Sequence, residues 1–254
     1  GKYRAAISSA RADVRYDPKL LPPDDLPALK DVNLTLVDAE MARALLPPRP
    51  VDGHKGTFGR LLVVAGSVNY IGAPSLAAQA AYRIGAGLVT IGAPQPVVAA
   101  LAAQLPEPTW LLLPHDLGVV SEKAADLIKE DLPNSQALLL GPGLGRENTT
   151  RTLLEELFSS KVETQARRSR RSIGFLSTKA DADAANDKPA NDFPPLIIDA
   201  DGLNLLSEID QWWKRLPANS ILTPHPGEMA RLTQLDTKEI QTNRVEIARS
   251  TASE

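Results

Sequence analysis

Cysteine is absent from this chain of 254 residues. That excludes a disulfide framework, a thiolate zinc site, an iron–sulfur cluster and a cysteine nucleophile. Aromatic residues make up only 4%, so leucine, valine, isoleucine and alanine must build any core. No apolar run approaches the roughly 20 residues of a membrane span. Residues 1–12 are basic and polar, without the apolar stretch of a secretory signal. Charge of neither sign is in excess: a net charge of −3 leaves no nucleic-acid footprint. The three histidines, His54, His115 and His225, stand far apart and lack metal-ligand spacing, so metal ligands stay unassigned. What these absences leave is a soluble protein with the cytoplasm as its expected location and neither nucleic acid nor membrane as partner.

The composition that remains is ordinary for a folded chain: 43% hydrophobic and 23% charged residues. Its length lies between one and two domains. Residues 1–33 are proline-rich with little periodicity and read as a linker or the tail of a preceding domain; residues 34–254 read as the main domain. A short helix is expected over 38–46, capped by Asp38 and stopped by Pro47 and Pro48. From Arg60 onward six short apolar runs alternate with helical segments. The runs are LLVVA (61–65), GLVTI (87–91), TWLLL (109–113), ALLL (137–140), LII (196–198) and SIL (220–222). Runs that are apolar throughout belong to strands buried on both faces. Helices are expected over 73–84, 96–104, 121–130 and 148–158, and from Gly202 and Pro226. Such alternation gives an α/β fold with three αβα layers and a mostly parallel sheet. Residues 159–194 break the rhythm with arginines and then aspartates, and read as a solvated polar insertion; a basic docking site is the other reading.

In an open parallel sheet, ligands bind beyond the carboxyl ends of the strands. Four runs end unusually. LLVVA leads into Gly66-Ser67-Val68-Asn69-Tyr70-Ile71-Gly72-Ala73-Pro74. Its glycines allow close backbone approach, and the helix start after it offers N–H groups to a polar ligand. ALLL leads into Gly141-Pro142-Gly143-Leu144-Gly145, which has neither the Rossmann nor the P-loop spacing. LII leads into Asp199-Ala200-Asp201-Gly202-Leu203-Asn204, where a carboxylate suits a magnesium shell or a polar substrate group. SIL leads into Thr223-Pro224-His225-Pro226-Gly227-Glu228, which holds a histidine rigidly between prolines. A fifth segment, HKGTFGR (54–60), precedes the first run and brings Lys55 and Arg60 as candidate phosphate partners. Each segment also has a structural reading: an ordinary turn for the glycine loops, capping by Asp201, solvated charge for Lys55.

Taken in order, HKGTFGRLLVVAGSVNYIGAPSLAAQAAYRIGAGLVT, LLLGPGLG, LIIDADGLNLL and ILTPHPGEM resemble the NAD(P)H-hydrate dehydratases of the ribokinase-like superfamily. The resemblance covers about residues 33–250, outside the polar insertion. It implies a repair enzyme that uses ADP or ATP, with Mg2+, to dehydrate hydrated NADH or NADPH. The ring hydroxyl is phosphorylated, and phosphate then leaves where hydroxide would not. By the same resemblance Ala73, Gly143, Gly145 and His225 contact the hydrate, with Asp199 and Asn204 in support; Lys55, read above as a phosphate partner, is a further supporting candidate. A homo-oligomer and an epimerase domain fused upstream are further expectations. Family members continue past TNRVEIA with a Leu-Lys-Gly strand and a Gly-Thr-Gly-Gly-x-Gly-Asp helix start. The expected catalytic Asp therefore lies beyond Glu254, and little dehydratase activity is expected of the chain alone. Two other readings are a small-molecule kinase similar to hydroxyethylthiazole kinase and a nucleotide-binding fragment without chemistry.

Overall fold

All six apolar runs are strands of one sheet in the computed structural model, which describes residues 37–159, 193–218 and 220–253. The tail expected at 1–33 and nearly all of the insertion expected at 159–194 lie outside the described residues. In chain order the elements begin with α1 (Ala39–Leu45), β1 (Arg60–Val64), α2 (Gly72–Ile84), β2 (Leu88–Pro94), α3 (Gln95–Leu101) and β3 (Thr109–Leu113). A small antiparallel hairpin of β4 (His115–Asp116) and β5 (Val119–Val120) follows. Then come α4 (Ala124–Asp131), β6 (Ala137–Leu140), α5 (Asn148–Leu157), β7 (Leu196–Ile198), α6 (Asp201–Leu206), β8 (Ser220–Leu222), α7 (Pro226–Thr233), α8 (Thr237–Thr242) and α9 (Arg244–Ala252). Asp38 caps α1 as expected, accepting from Met41 N at 2.8 Å. The hairpin, α8 and α9 were not anticipated from the sequence pattern.

Strand order is β3-β2-β1-β6-β7-β8, parallel throughout. The chain builds outward from β1 to β3, then returns to β1 and builds the other way. Right-handed crossovers running in opposite directions place their helices on opposite faces. The packing shows this directly. Leu62, Val64, Leu138, Leu140, Leu196 and Ile198 pack in one fully buried layer with residues of α4, α5 and α6. Val63, Ala65, Val89 and Ile91 point the other way, into a second layer with α2 and α3. Successive strand residues thus feed two cores, which is why the runs show no polar alternation. These are the three αβα layers expected from the sequence.

The amino edge of the sheet is closed by polar contacts. Arg60 Nε donates to Thr90 Oγ1 at 3.0 Å, and its Nη2 donates to both Asp131 carboxylate oxygens at 3.0 and 3.1 Å. Thr90 and Thr109 share a hydroxyl hydrogen bond of 2.7 Å. The network links β1, β2, β3 and the end of α4. Arg60 and Asp131 are mostly buried, so removing one charge leaves the other uncompensated. Arg60→Ala is expected to cost about 2 kcal/mol, read as a lower urea midpoint; an unchanged midpoint would show the network to be dispensable.

Candidate functional site

The four unusual strand ends belong to β1, β6, β7 and β8, which are contiguous in the sheet. Because all four strands are parallel, the loops that leave them stand in a row along one edge. Three inter-strand steps span about 14 Å. β1 and β6 flank the point where the strand order reverses, the usual ligand crevice of such sheets.

Backbone hydrogen bonds stitch the row together. Gly141 N donates to Val64 O at 3.1 Å and Gly66 N to Pro142 O at 2.9 Å, tying the β1 and β6 loops. Asp199 N donates to Leu140 O at 3.1 Å, tying β7 to β6. Gly143 has φ +67°, and a Cβ there would lie 2.6 Å from the Tyr70 Cβ and 2.9 Å from the Ala73 Cβ. Gly143 and Ala73, assigned from segments 70 residues apart, are therefore in contact. Only glycine admits this approach of the two loops.

Gly145 has φ +86°, and its N–H donates to Asp201 Oδ2 at 3.1 Å. Helix capping was the structural alternative for Asp201. Instead it is the first residue of α6, makes no capping bond, and reaches back to the β6 loop. The residue before it, Ala200, has φ 54° and ψ −119°. This is a strained conformation for a residue with a side chain, of the kind that gathers at functional turns. Asp199 Oδ1 accepts from Thr223 Oγ1 at 2.7 Å, so β8 orients the β7 carboxylate.

His225 is the N-cap of α7. Its Nδ1 accepts from Gly227 N at 3.0 Å and from Glu228 N at 3.4 Å. An accepting Nδ1 places the proton on Nε2, which lies 3.2 Å from Glu228 Oε1. Glu228 Oε2 accepts from His225 N at 2.9 Å, completing a capping box. The Glu228 side chain is 7% exposed and that of His225 is 62% exposed. A buried carboxylate thus holds an imidazole that still presents its ring to solvent.

Two candidates have other duties. Asn204 is buried, and its Oδ1 accepts from Arg231 Nη1 at 2.9 Å, bracing α6 against α7. Lys55 belongs to the opposite edge of the sheet. Its carbonyl oxygen lies 1.8 Å from where a Gly87 Cβ would be, just before β2 begins. Arg60, the other candidate for phosphate, is committed to Asp131 and Thr90 at that same edge. Sequence reasoning passed over Thr223 and the buried Ser67, whose Oγ has no hydrogen-bond partner among the described residues. No pattern marks such residues in advance, because their roles depend on loops far apart in the chain.

Among the described residues no group of three or more His, Cys, Asp or Glu side chains converges as a metal site. Lys55 and Arg60, at the far edge, do not join the row of loops as phosphate partners, while Asp199 and Asp201 stand in that row as single carboxylates of the kind a magnesium ion shares with substrate phosphates. No helix among the described residues is long and apolar enough to cross a membrane.

Comparison with known proteins agrees with this geometry. The sequence profile described as NAD(P)H-hydrate dehydratase matches residues 61–163 and 174–254. The bifunctional NAD(P)H-hydrate repair enzyme Nnr of Moorella thermoacetica is 36% identical over 233 residues, covering 91% of this chain and 38% of that protein. The Escherichia coli protein of the same name is 30% identical, with 87% of this chain and 34% of that protein covered. The chain thus spans little more than a third of these curated relatives. Among solved structures, the ADP/ATP-dependent NAD(P)H-hydrate dehydratase of Bacillus subtilis, co-crystallised with ATP and Mg2+, superposes with a TM-score of 0.61 at 30% identity, covering 87% of this chain and 64% of that one. A ribokinase-like superfamily protein of Enterococcus faecalis shares the fold at 22% identity, with a TM-score of 0.57, covering 84% of this chain and 64% of that one. The chain belongs to the NAD(P)H-hydrate dehydratase family and has the ribokinase-like fold.

Proposed function

We propose that this chain contributes the hydrate-binding part of an enzyme that dehydrates damaged NADH or NADPH, with ADP or ATP as phosphoryl donor and Mg2+ as its companion ion. The observation that carries the reading is the row of four loops on β1, β6, β7 and β8, with Gly143 against Ala73 at the reversal of strand order. Family membership supports the donor and the ion, as does the Bacillus subtilis dehydratase crystallised with ATP and Mg2+. When bound, the donor supplies the phosphate that makes the ring hydroxyl a good leaving group.

The roles of this chain's own residues follow from their geometry. Gly143 is buried beneath Tyr70 and Ala73 and lets the β1 and β6 loops meet closely, and the half-buried Ala73 beside it leaves only a methyl group where a bulky nucleotide would approach. His225 presents an oriented ring whose tautomer is set by the start of α7 and by Glu228. Asp201 fixes the Gly145 loop, and Thr223 fixes Asp199. A fused epimerase domain accords with relatives whose names call them bifunctional, and a cytoplasmic setting accords with the lack of cysteine. A homo-oligomer remains part of this proposal.

The test is equilibrium binding of hydrated NADPH to the 254-residue chain, its His225→Ala variant and its His225→Asn variant. Asparagine is a good N-cap and alanine a poor one, a difference of about 1 kcal/mol. Both variants are expected to bind at least about tenfold more weakly, the loss of one buried polar contact, while only the alanine variant is expected to melt earlier. Equal binding by wild type and His225→Asn would remove His225 from the site.

A further inference from the structure

Tyr70 is an exposed aromatic residue in a chain that has few. It lies in the β1 loop, and its Cβ is pinned over Gly143, 2.6 Å from where a side chain there would begin. The turn around it is ordered: Tyr70 N donates to Ser67 O at 2.9 Å, and Ala73 N donates to Tyr70 O at 3.3 Å. Yet Tyr70 is 55% exposed. Tyr82 shows the contrast. Its hydroxyl donates to Glu107 O and accepts from Val89 N, and burial pushes its phenol above the ordinary tyrosine range.

The surface beside Tyr70 is apolar as well. Val68, two residues earlier, is 45% exposed, and its N–H donates to Gly118 O at 2.9 Å. Gly118 closes the β4–β5 hairpin together with Leu117, and both have positive φ, 85° and 49°. Two positive φ values suit Asn-Gly or Gly-Gly, not leucine. The fold therefore holds Leu117 in a disfavoured conformation with 97% of it in solvent. Strain combined with exposed apolar surface is a mark of a contact surface. Val68 and Tyr70 thus share the β1 loop, and Gly118 ties the turn that carries Leu117 to Val68.

We propose that Tyr70 is a specificity-determining residue whose ring packs face-on against a flat heterocycle of the nucleotide substrate, with Val68 and Leu117 extending that wall. This rests on the hydrate-binding reading above. The Gly143-to-Tyr70 contact fixes the base of the side chain, and 55% of the residue stays in solvent, where a ligand can cover it. Packing a base on an aromatic ring requires no particular hydrogen-bond pattern. It therefore complements the polar selection exercised by His225 at the other end of the row.

Equilibrium dialysis of hydrated NADPH against wild type, Tyr70→Ala, Tyr70→Phe and His225→Asn tests this. Tyr70→Ala is expected to bind about tenfold more weakly, and Tyr70→Phe to restore most of that affinity. Tyr70→Ala keeps the Cβ that rests on Gly143 and loses a residue that is 55% exposed, so it is expected to melt only a few degrees below wild type. If Tyr70→Ala binds like wild type while His225→Asn is weakened, the stacking role is overturned and the hydrate-binding reading stands. If Tyr70→Phe loses as much as Tyr70→Ala, the hydroxyl and not the ring face makes the contact, and stacking is again overturned. If wild type does not bind the hydrate, the functional reading falls and this inference with it.

Discussion

Gly141→Ala is expected to lower the unfolding free energy by about 4 kcal/mol, among the largest effects of any single methyl in this protein. Gly141 has φ +127°, a region that side-chain-bearing residues rarely adopt. The added carbon would lie 2.0 Å from Asp199 O, 2.8 Å from Gly202 N and 2.9 Å from the Gly202 Cα. All three are backbone atoms with commitments of their own. Asp199 N holds Leu140 O at 3.1 Å, and Gly202 N holds Asp199 O at 3.1 Å. Retreat by either loop breaks a buried hydrogen bond and opens the junction of β6 and β7. Gly72→Ala is the control. That glycine starts α2 with nothing within 4 Å of the new carbon, and the change is expected to be neutral or stabilising by about 0.5 kcal/mol. Urea midpoints read both. A Gly141→Ala protein as stable as wild type would show that the β6 and β7 turns do not pack as described.

Leu138→Ala is expected to cost about 3–4 kcal/mol through the opposite fault, a cavity. Leu138 lies in β6, paired with Leu62 of β1 and Leu196 of β7, and has no exposed surface. Neighbouring strands cannot close the gap without giving up their own ladder bonds, so little relaxation is available. Leu112→Ala on the outer strand β3 removes the same atoms from a residue 56% exposed, and is expected to cost less than about 1 kcal/mol. Comparable losses at the two positions would contradict the two-layer core.

Much of the fold was legible because the inner strands β1, β2, β6 and β7 are largely buried on both faces, while the outer strands β3 and β8 keep apolar runs although Leu112 and Ile221 are exposed. Continuous apolar runs closed by glycine, proline or aspartate mark such strands without ambiguity. The β4–β5 hairpin was not legible: two-residue strands have no pattern, and leucine is an unusual occupant of its turn. α9 was missed for a related reason. Ile247 is its one buried residue, too little to give a helical period.

Legibility of the candidate site follows the same division. Segments that leave the strand ends stood out because a parallel sheet concentrates ligand contacts there, and the family resemblance picked Ala73, Gly143, Gly145, Asp199 and His225 out of them. Their partners did not stand out. Asp201 could have capped its helix and instead holds Gly145; Asn204 looked like a ligand and instead holds Arg231. Lys55 looked close to the site because it precedes β1, but the strand's own length carries it to the opposite edge.

By itself the sequence determined the α/β class, the six strands, the edge on which chemistry gathers, and the resemblance that points to nicotinamide repair. Hydrophobic periodicity and glycine or proline spacing are local properties, and local properties survive in a string of letters. Only the tertiary structure decided that four of the six strand ends are neighbours, that Gly143 rests on Ala73 and Tyr70, and that Asp201 holds the Gly145 loop. Those facts depend on strand order and on contacts across 56 to 73 residues, which the burial of two opposite faces selects and no local pattern records.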